Sequence, residues 1–356
     1  MLEKIITPTL LIDKEKVRKN IRKIFDKSVK HGFTLRPHFK THQSKEIAKL
    51  FSEIGVTRAT VSSLEMADYF ASNGWKDLTI AFPINIREID LLNKLAKKNT
   101  INILVENIQS IEFLNKKLKH KLNAFIKINV NYNRAGVEAD DFKKIADLVL
   151  ALEKSEKIYL KGILTHAGHS YHAKSVDEIK EIHYSQLKKM ANIKKSLGDR
   201  YADLIVSIGD TPTVSLMDDF PGVDEVRAGN FVFYDVTQLL LTTCNVNEIA
   251  VAVAAPVVAK HQSRNEIVVF CGGVHLSKEY VNSEYGVIYG LPVFLNEKNW
   301  SAPIENSFVK SLSQEHGIIR LNSEAFGKIE VGDLIGVLPV HSCLSANLLR
   351  NKQQLI

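Results

Sequence analysis

The amino-acid sequence predicts a (β/α)8 barrel followed by a mostly β domain, and three observations carry that prediction. Between residues 33 and 235, short apolar runs alternate with longer helical patterns. Eight such runs can be marked, the number that this barrel requires. After Tyr234 the texture changes to strand-like segments with few helical patterns between them. A doubly wound open sheet is the other architecture that the same alternation allows.

Taken in order, Thr9–Ile12 reads as a strand ahead of the first helix, and it is expected to pair with the C-terminal domain, bringing the chain ends together. The barrel strands are expected at Phe33–Phe39, Ala59–Ser63, Leu78–Phe82 and Ile101–Glu106, then at Ala124–Val130, Leu160–His166, Leu204–Ile208 and Glu225–Tyr234. Beyond them Thr242–Val246, Ala250–Ala259, Ile267–Phe270, Gly286–Tyr289 and Ile335–Val340 read as strands. Turns are expected at Gly272-Gly273, Gly290-Leu291-Pro292 and Val331-Gly332-Asp333. The domains are therefore expected at residues 1–235 and 236–356.

A chain of 356 residues with 45% hydrophobic composition can bury one large core and a smaller one. Its formal net charge is +7, but lysines mix with acidic residues along helical stretches such as Glu88–Lys98 and Asp140–Ile158. No arginine cluster carries interleaved aromatics, so nucleic acid is not expected as a partner. The positive balance favours small anionic ligands instead. The opening residues hold no apolar signal core, and no apolar run approaches the ~20 residues that span a bilayer, so no membrane partner is expected. The longest run, Ile249–Ala259, contains Pro256 and reads as a strand. Three cysteines, Cys244, Cys271 and Cys343, are odd in number and unpatterned, which argues against a disulfide framework and for the cytoplasm.

The chemistry-bearing residues gather at the C-terminal ends of the expected strands, where barrels of this kind carry their active sites. Lys40, in Arg36-Pro37-His38-Phe39-Lys40-Thr41-His42, ends the first and can act as a Schiff-base nucleophile. Asn131 and Arg134 follow the fifth, and His166, His169 and Tyr171 end the sixth. Gly209-Asp210-Thr211-Pro212-Thr213 follows the seventh and offers backbone amides and hydroxyls. With Gly229-Asn230 of the eighth it reads as a phosphate cradle. Lys127 and Lys161 are expected to be structural or exposed. Near the C-terminus, His341-Ser342-Cys343 places two donors two residues apart, on one side of an extended segment. Imidazole with thiolate suits zinc, whereas imidazole with carboxylate suits manganese or magnesium.

Pro37-His38-Phe39-Lys40-Thr41-His42 resembles the pyridoxal-phosphate lysine motif of the D-serine dehydratase and D-threonine aldolase family, which has the alanine racemase fold (pyridoxal-phosphate fold type III). Further matches are Arg134-Ala135-Gly136-Val137, Gly209–Thr213, Arg227-Ala228-Gly229-Asn230, Gln314-Glu315-His316-Gly317 and Pro339–Leu344, so the resemblance covers nearly the whole chain. It implies that Lys40 holds pyridoxal 5'-phosphate as a Schiff base and takes the substrate's α-proton. It places Arg134 near the cofactor's phenolic oxygen, His166 against the pyridine ring and Tyr171 facing the cofactor. Gly209, Asp210, Thr211, Gly229 and Asn230 are then the phosphate-binding residues. His-x-Cys resembles the zinc-dependent D-serine dehydratases and His-x-Asp the aldolases, so His341 and Cys343 are expected to bind Zn2+, with Mn2+ or Mg2+ as alternatives.

The expected activity is conversion of D-serine to pyruvate and ammonia, in a homodimer. Retro-aldol cleavage of a D-threonine type substrate to glycine and an aldehyde is the alternative. A racemase would need a second acid/base that the sequence does not clearly supply, and a non-catalytic cofactor carrier would leave His341 and Cys343 without a role. Two departures bear on this. Cys271-Gly272-Gly273-Val274-His275 stands where relatives tend to have an aspartate-containing turn. Arg227 stands where the dehydratases more often have histidine, and it resembles the arginine that meets the pyridine nitrogen in alanine racemase.

Overall fold

The computed structural model describes residues 2–356 and divides them into two compact units. One comprises Arg22–Lys40 and Lys45–Gly229. The other comprises the residues up to Ile21, then Thr41–Ser44 and Asn230–Ile356. Residues 2–21 thus belong with the C-terminal part of the chain. Strand β1 (Thr9–Ile12) is described with that half below.

The first unit holds β2 (Thr34–Leu35), β3 (Arg58–Val61), β4 (Asp77–Pro83), β5 (Thr100–Val105) and β6 (Leu122–Asn129). After β7 (Val137–Glu138) come β8 (Ile158–Leu164), β9 (Ile205–Ile208) and β10 (Glu225–Val226). All pairs are parallel, in the order β2-β10-β9-β8-β6-β5-β4-β3, with β7 attached to β6. A parallel bridge between His38 and Thr60 joins the extension of β2 to β3 and closes the barrel. All eight expected barrel strands are present. The first is short as a ladder because Pro37 has no N–H to give. Pairing continues around it nonetheless, with Arg36 N donating to Val226 O and His38 N to Ala228 O. The eighth ends sooner than expected: the strand stops at Val226, backbone pairing lasts to Ala228, and the chain then turns through a 3-10 segment at Asn230–Val232.

Between the strands run α1 (Lys14–His31), α2 (Lys45–Ser52), α3 (Leu64–Ser72), α4 (Ile89–Ala96), α5 (Ile108–Lys117), α6 (Phe142–Glu153), α7 (Val176–Leu197) and α8 (Thr211–Leu216). Side chains of Ser63, Asn107, Asp141, Ser175 and Asp210 accept from first-turn amides, which supplies N-caps for five of them. Phe39, fully buried, packs its ring 4.8 Å from Phe70 and 4.7 Å from Trp75. Burial of such a ring is worth about 1.5–3 kcal/mol, so the residue next to Lys40 is firmly anchored.

A polar network crosses the barrel interior. Arg36 Nε donates to Glu225 Oε2 at 2.5 Å and its Nη1 to Asp77 Oδ1 at 2.7 Å. Asn102 donates to Asp77, and Ser207 Oγ donates to Glu225 at 2.7 Å. Arg227 Nε donates in turn to Ser207 Oγ at 2.8 Å. Arg36 and Glu225 are both buried, so the pairing meets the requirement that a charge removed from water be compensated.

In the second unit β1 pairs antiparallel with β11 (Val251–His261) and parallel with β19 (Gln353–Leu355). The other strands are β12 (Glu266–Phe270), β13 (Val281–Ser283), β14 (Gly286–Ile288), β15 (Gly290–Phe294), β16 (Phe308–Leu312), β17 (His316–Arg320) and β18 (Leu334–Pro339). Their sheet runs β15-β18-β11-β12-β17-β16, all antiparallel, while β13 and β14 form a separate hairpin. Helices α9 (Val236–Leu240), α10 (Gly273–Leu276), α11 (Ser323–Lys328) and α12 (Ser342–Leu348) complete it.

Three sequence expectations are corrected in this unit. Thr242–Val246 is not a strand: the chain turns there into a 3-10 segment at Val246–Glu248, held by a capping box at Asn245. Gly272-Gly273 begins α10 rather than a simple turn. Gly290-Leu291-Pro292 is the start of β15, an edge strand, where proline is tolerated because no ladder amide is required of it. No helix among the described residues is long and apolar enough to cross a membrane.

Candidate active site and candidate metal centre

In the barrel unit the expected residues do collect at the C-terminal ends of the strands. Lys40 is exposed at the end of the β2 extension, and its backbone N–H donates to His38 Nδ1 at 3.3 Å. Gly229 lies directly behind His38: a Cβ there would sit 2.5 Å from the His38 carbonyl oxygen, so only glycine fits. Burial pushes the imidazoles of His38 and His166 well below the ordinary histidine range. The charges of Lys40 and Arg134 push both further in the same direction. Both rings are therefore neutral at physiological pH. His166 Nδ1 is fixed by a short hydrogen bond to the Gly209 carbonyl, in which a neutral ring donates.

Lys127, expected to be structural or exposed, is buried in β6. Burial lowers its pKa to about 7, with Arg227 and Arg134 adding to the effect and Glu106 opposing it. Arg227 is also buried, and desolvation brings it down to about 10. Lys40, Lys127, Arg134 and Arg227 thus share one field. Such an excess of positive charge suits a ligand with several negative groups.

Arg134 is held by a residue that the sequence reading passed over. Its guanidinium lies over the Tyr132 ring, 4.9 Å from the centroid. The same ring stands edge-on to His166 at 5.7 Å and is stacked on His169 at 6.3 Å. Gly168 makes room for it, since a Cβ there would lie 2.5 Å from ring carbons. An aromatic residue between Asn131 and Arg134 was the signal available in the sequence.

The glycine-aspartate-threonine turn divides its labour. Asp210 is the N-cap of α8: its carboxylate accepts from Thr213 N, Thr213 Oγ1 and Ser170 Oγ, all at 2.8–2.9 Å. Its role is to shape the turn. Tyr171 Oη accepts from Thr211 N at 3.1 Å, and the Tyr171 ring lies 6.3 Å from that of His166. Thr211 Oγ1 is buried without a hydrogen-bond partner, an arrangement that is costly unless a ligand completes it. That orphaned hydroxyl, the neighbouring Gly209 and the surrounding cations fit a phosphorylated, anionic cofactor.

Asn230 belongs to the second unit. Its Nδ2 donates to Asp235 Oδ2 at 2.7 Å and to Ser342 Oγ at 3.0 Å, and it lies 3.6 Å from Cys343 Sγ. Asp235, also unnoticed in the sequence, accepts from the backbone and hydroxyl of Ser342 as well. It thereby fixes the turn that presents His341 and Cys343. That turn is the start of a helix rather than an extended strand: His341 is the N-cap of α12 and Cys343 lies in its first turn. The two side chains nevertheless act on one another electrostatically. Burial disfavours charge on His341, but Cys343 and Glu279 outweigh it and lift the pKa to about 11. His341 Nδ1 lies 2.8 Å from Glu279 Oε2, and Cys343 Sγ lies 3.2 Å from Thr41 Oγ1. No group of three or more His, Cys, Asp or Glu side chains among the described residues is placed to hold a metal. His341 and Cys343 supply two donors, an imidazole and a thiol, which fit a zinc-type ion whose remaining positions are left to water or substrate.

Residues 12–236 match the family profile described as alanine racemase, N-terminal domain. The chain belongs to that family. Residues 250–352 match a serine dehydratase domain. A D-serine dehydratase of Dictyostelium discoideum is 28% identical over 98% of this chain and 95% of its own length. A D-threonine aldolase of Arthrobacter sp. is 25% identical over 66% of this chain and 62% of its own. Among solved structures, D-threo-3-hydroxyaspartate dehydratase from Delftia sp. HT23 superposes with a TM-score of 0.89 at 24% identity. The match covers 98% of this chain and 93% of that one and establishes the shared fold.

Proposed function

We propose that this chain is a pyridoxal-phosphate-dependent, metal-assisted lyase of D-configured β-hydroxy amino acids, with D-serine as substrate and pyruvate and ammonia as products. The placement of His341 and Cys343 at the start of α12, and of Lys40 at the end of the β2 extension, is the observation on which this reading rests. Relatives named D-serine dehydratase, aligned over nearly the whole chain, support it. So do solved variants of a D-threo-3-hydroxyaspartate dehydratase in which a cysteine and a histidine separated by one residue are changed, the cysteine variant being in a metal-free form.

When bound, pyridoxal phosphate supplies an electron sink for the substrate's Cα. The Lys40 Nζ would carry it and then hold the α-proton. Arg134, steadied on Tyr132, would face the phenolic oxygen, and neutral His166 would lie against the ring. Thr211 and the glycines at 209 and 229 would take the phosphate. His341 and Cys343 would hold a divalent ion, zinc by the softness of the thiolate, to act as a Lewis acid toward the β-hydroxyl. The purified protein should form keto acid from D-serine and none from L-serine. Cys343→Ala should lose about one zinc per chain while keeping the fold and the cofactor's visible band. Full activity on every β-hydroxy substrate after chelation would sink the metal role. Glycine and aldehyde as the main products would establish the aldolase reading, which the Arthrobacter relative favours.

Homodimeric assembly in the cytoplasm completes the proposal. Mixing Lys40→Ala with Cys343→Ala protein tests whether subunits share sites. Restored activity means shared sites, and none, after proven subunit exchange, means each site is built within one chain. A protein that stays monomeric and active at low concentration would refute the dimer.

A further inference from the structure

We infer that Glu279 is the positioning residue that makes His341 a metal ligand through Nε2. The inference rests on the proposed metal role of His341 and Cys343, and it concerns a residue that enters neither the cofactor site nor the metal pair. Glu279 Oε2 lies 2.8 Å from His341 Nδ1. An ionised carboxylate can only accept, so Nδ1 must carry the proton and donate. The lone pair of the neutral ring is then confined to Nε2, and the other tautomer is excluded. The same hydrogen bond stops rotation of the ring about its axis and raises the basicity of the ligating nitrogen, as carboxylates behind metal-bound histidines do.

The local chain is built to deliver this carboxylate. Helix α10 stops at Leu276, and Ser277 adopts a positive φ of 67°. The Ser277 hydroxyl then accepts from Glu279 N at 3.3 Å, which holds the turn that carries Glu279 toward His341. On the other ligand, Cys343 Sγ meets the Thr41 hydroxyl and the Asn230 amide. Each proposed ligand thus has an outer partner of its own: a carboxylate for the imidazole, neutral groups for the sulfur. This division gives the imidazole its anionic support without adding a second negative charge at the thiolate.

Glu279 is about half exposed, 52% at the side chain, so replacing it removes little packing. The test uses the full chain, stripped of metal and titrated with zinc against a chromogenic chelator. Glu279→Ala should weaken zinc binding roughly 10–100-fold, the usual effect of losing such a partner. Glu279→Gln should retain much of the affinity, because its amide oxygen can still accept from Nδ1. Nitrogen-15 spectra of the zinc-loaded protein should show His341 with Nδ1 protonated and Nε2 bound to metal in the wild type, and loss of that single pattern in Glu279→Ala. Equal zinc affinity in wild type and Glu279→Ala, with affinity lost in His341→Ala, would overturn the role of Glu279 while leaving the metal pair in place. Zinc binding that survives His341→Ala unchanged would instead remove the metal reading on which the inference stands.

Discussion

Replacing Lys40 with alanine should abolish the cofactor's visible absorption and the turnover of D-serine together. The residue has two proposed duties, carrying the cofactor and moving the α-proton. A positioned proton-transfer group alone contributes about 10²–10⁴-fold, so the loss should exceed that range. Borohydride treatment of the wild type should leave the cofactor on the peptide that contains Lys40. Lys127 is the instructive competitor. It lies in the same charge field, and burial has brought its pKa down to about 7, which makes its amine partly neutral at physiological pH. It sits inside β6, however, with Nζ directed to the Ile128 carbonyl at 3.3 Å. Label recovered at Lys127, or a visible band in Lys40→Ala without added amine, would overturn the assignment.

Arg36→Ala should give the largest loss of stability, about 3–5 kcal/mol, read as a lower midpoint of chemical denaturation. Removing the guanidinium leaves Glu225 buried without its counter-ion, and breaking a buried pair from one side costs that much. Removing both charges, in Arg36→Met with Glu225→Gln, should cost less than the single change, because the deeply buried Glu225 carboxylate is then no longer stranded. An unchanged midpoint in Arg36→Ala would show that the network does not hold the barrel. Asp77 adds a pH signature. Burial alone would raise its pKa, but its hydrogen bonds and ion pair with Arg36 prevail and hold it below the usual carboxylate range. A folded pKa below the unfolded one contributes stability that is present above the unfolded value of about 3.9. That contribution is lost as pH falls through the folded value, so acid should narrow the gap between wild type and Asp77→Asn.

How much of this was legible depended on how local each signal was. The eight barrel strands announce themselves because each is a short apolar run flanked by helix. Lys40, Arg134, His166 and Thr211 follow from standing at the ends of those runs. The sheet of the second unit is less legible: β15 contains Gly290 and Pro292, residues that normally mark turns, and only its edge position reconciles them with a strand. His341 and Cys343 were legible as a pair, although the backbone that joins them is a helix start and not the extended segment assumed. Glu279 and Asp235 had no local signal. Their partners lie 62 and 107 residues away, and nothing in the flanking sequence separates them from ordinary surface acids. The Asn230 side-chain amide donates to Asp235 and Ser342, contacts that no local signal announces.

The placement of β1 between β11 and β19 has a consequence for biosynthesis. Leu10 faces Val253 on one edge and Gln353 on the other, so β1 must wait for its last neighbour until more than three hundred further residues have been made. The barrel strands, by contrast, are all made between Thr34 and Val226. On a ribosome adding about 5–20 residues per second, β1 spends many seconds with its edges unsatisfied. It is only four residues long, and a short unpaired edge offers little template for aggregation during that wait. Pairing across so great a sequence separation is the slowest kind to form. A stop anywhere between β1 and Gln353 therefore leaves that seam open.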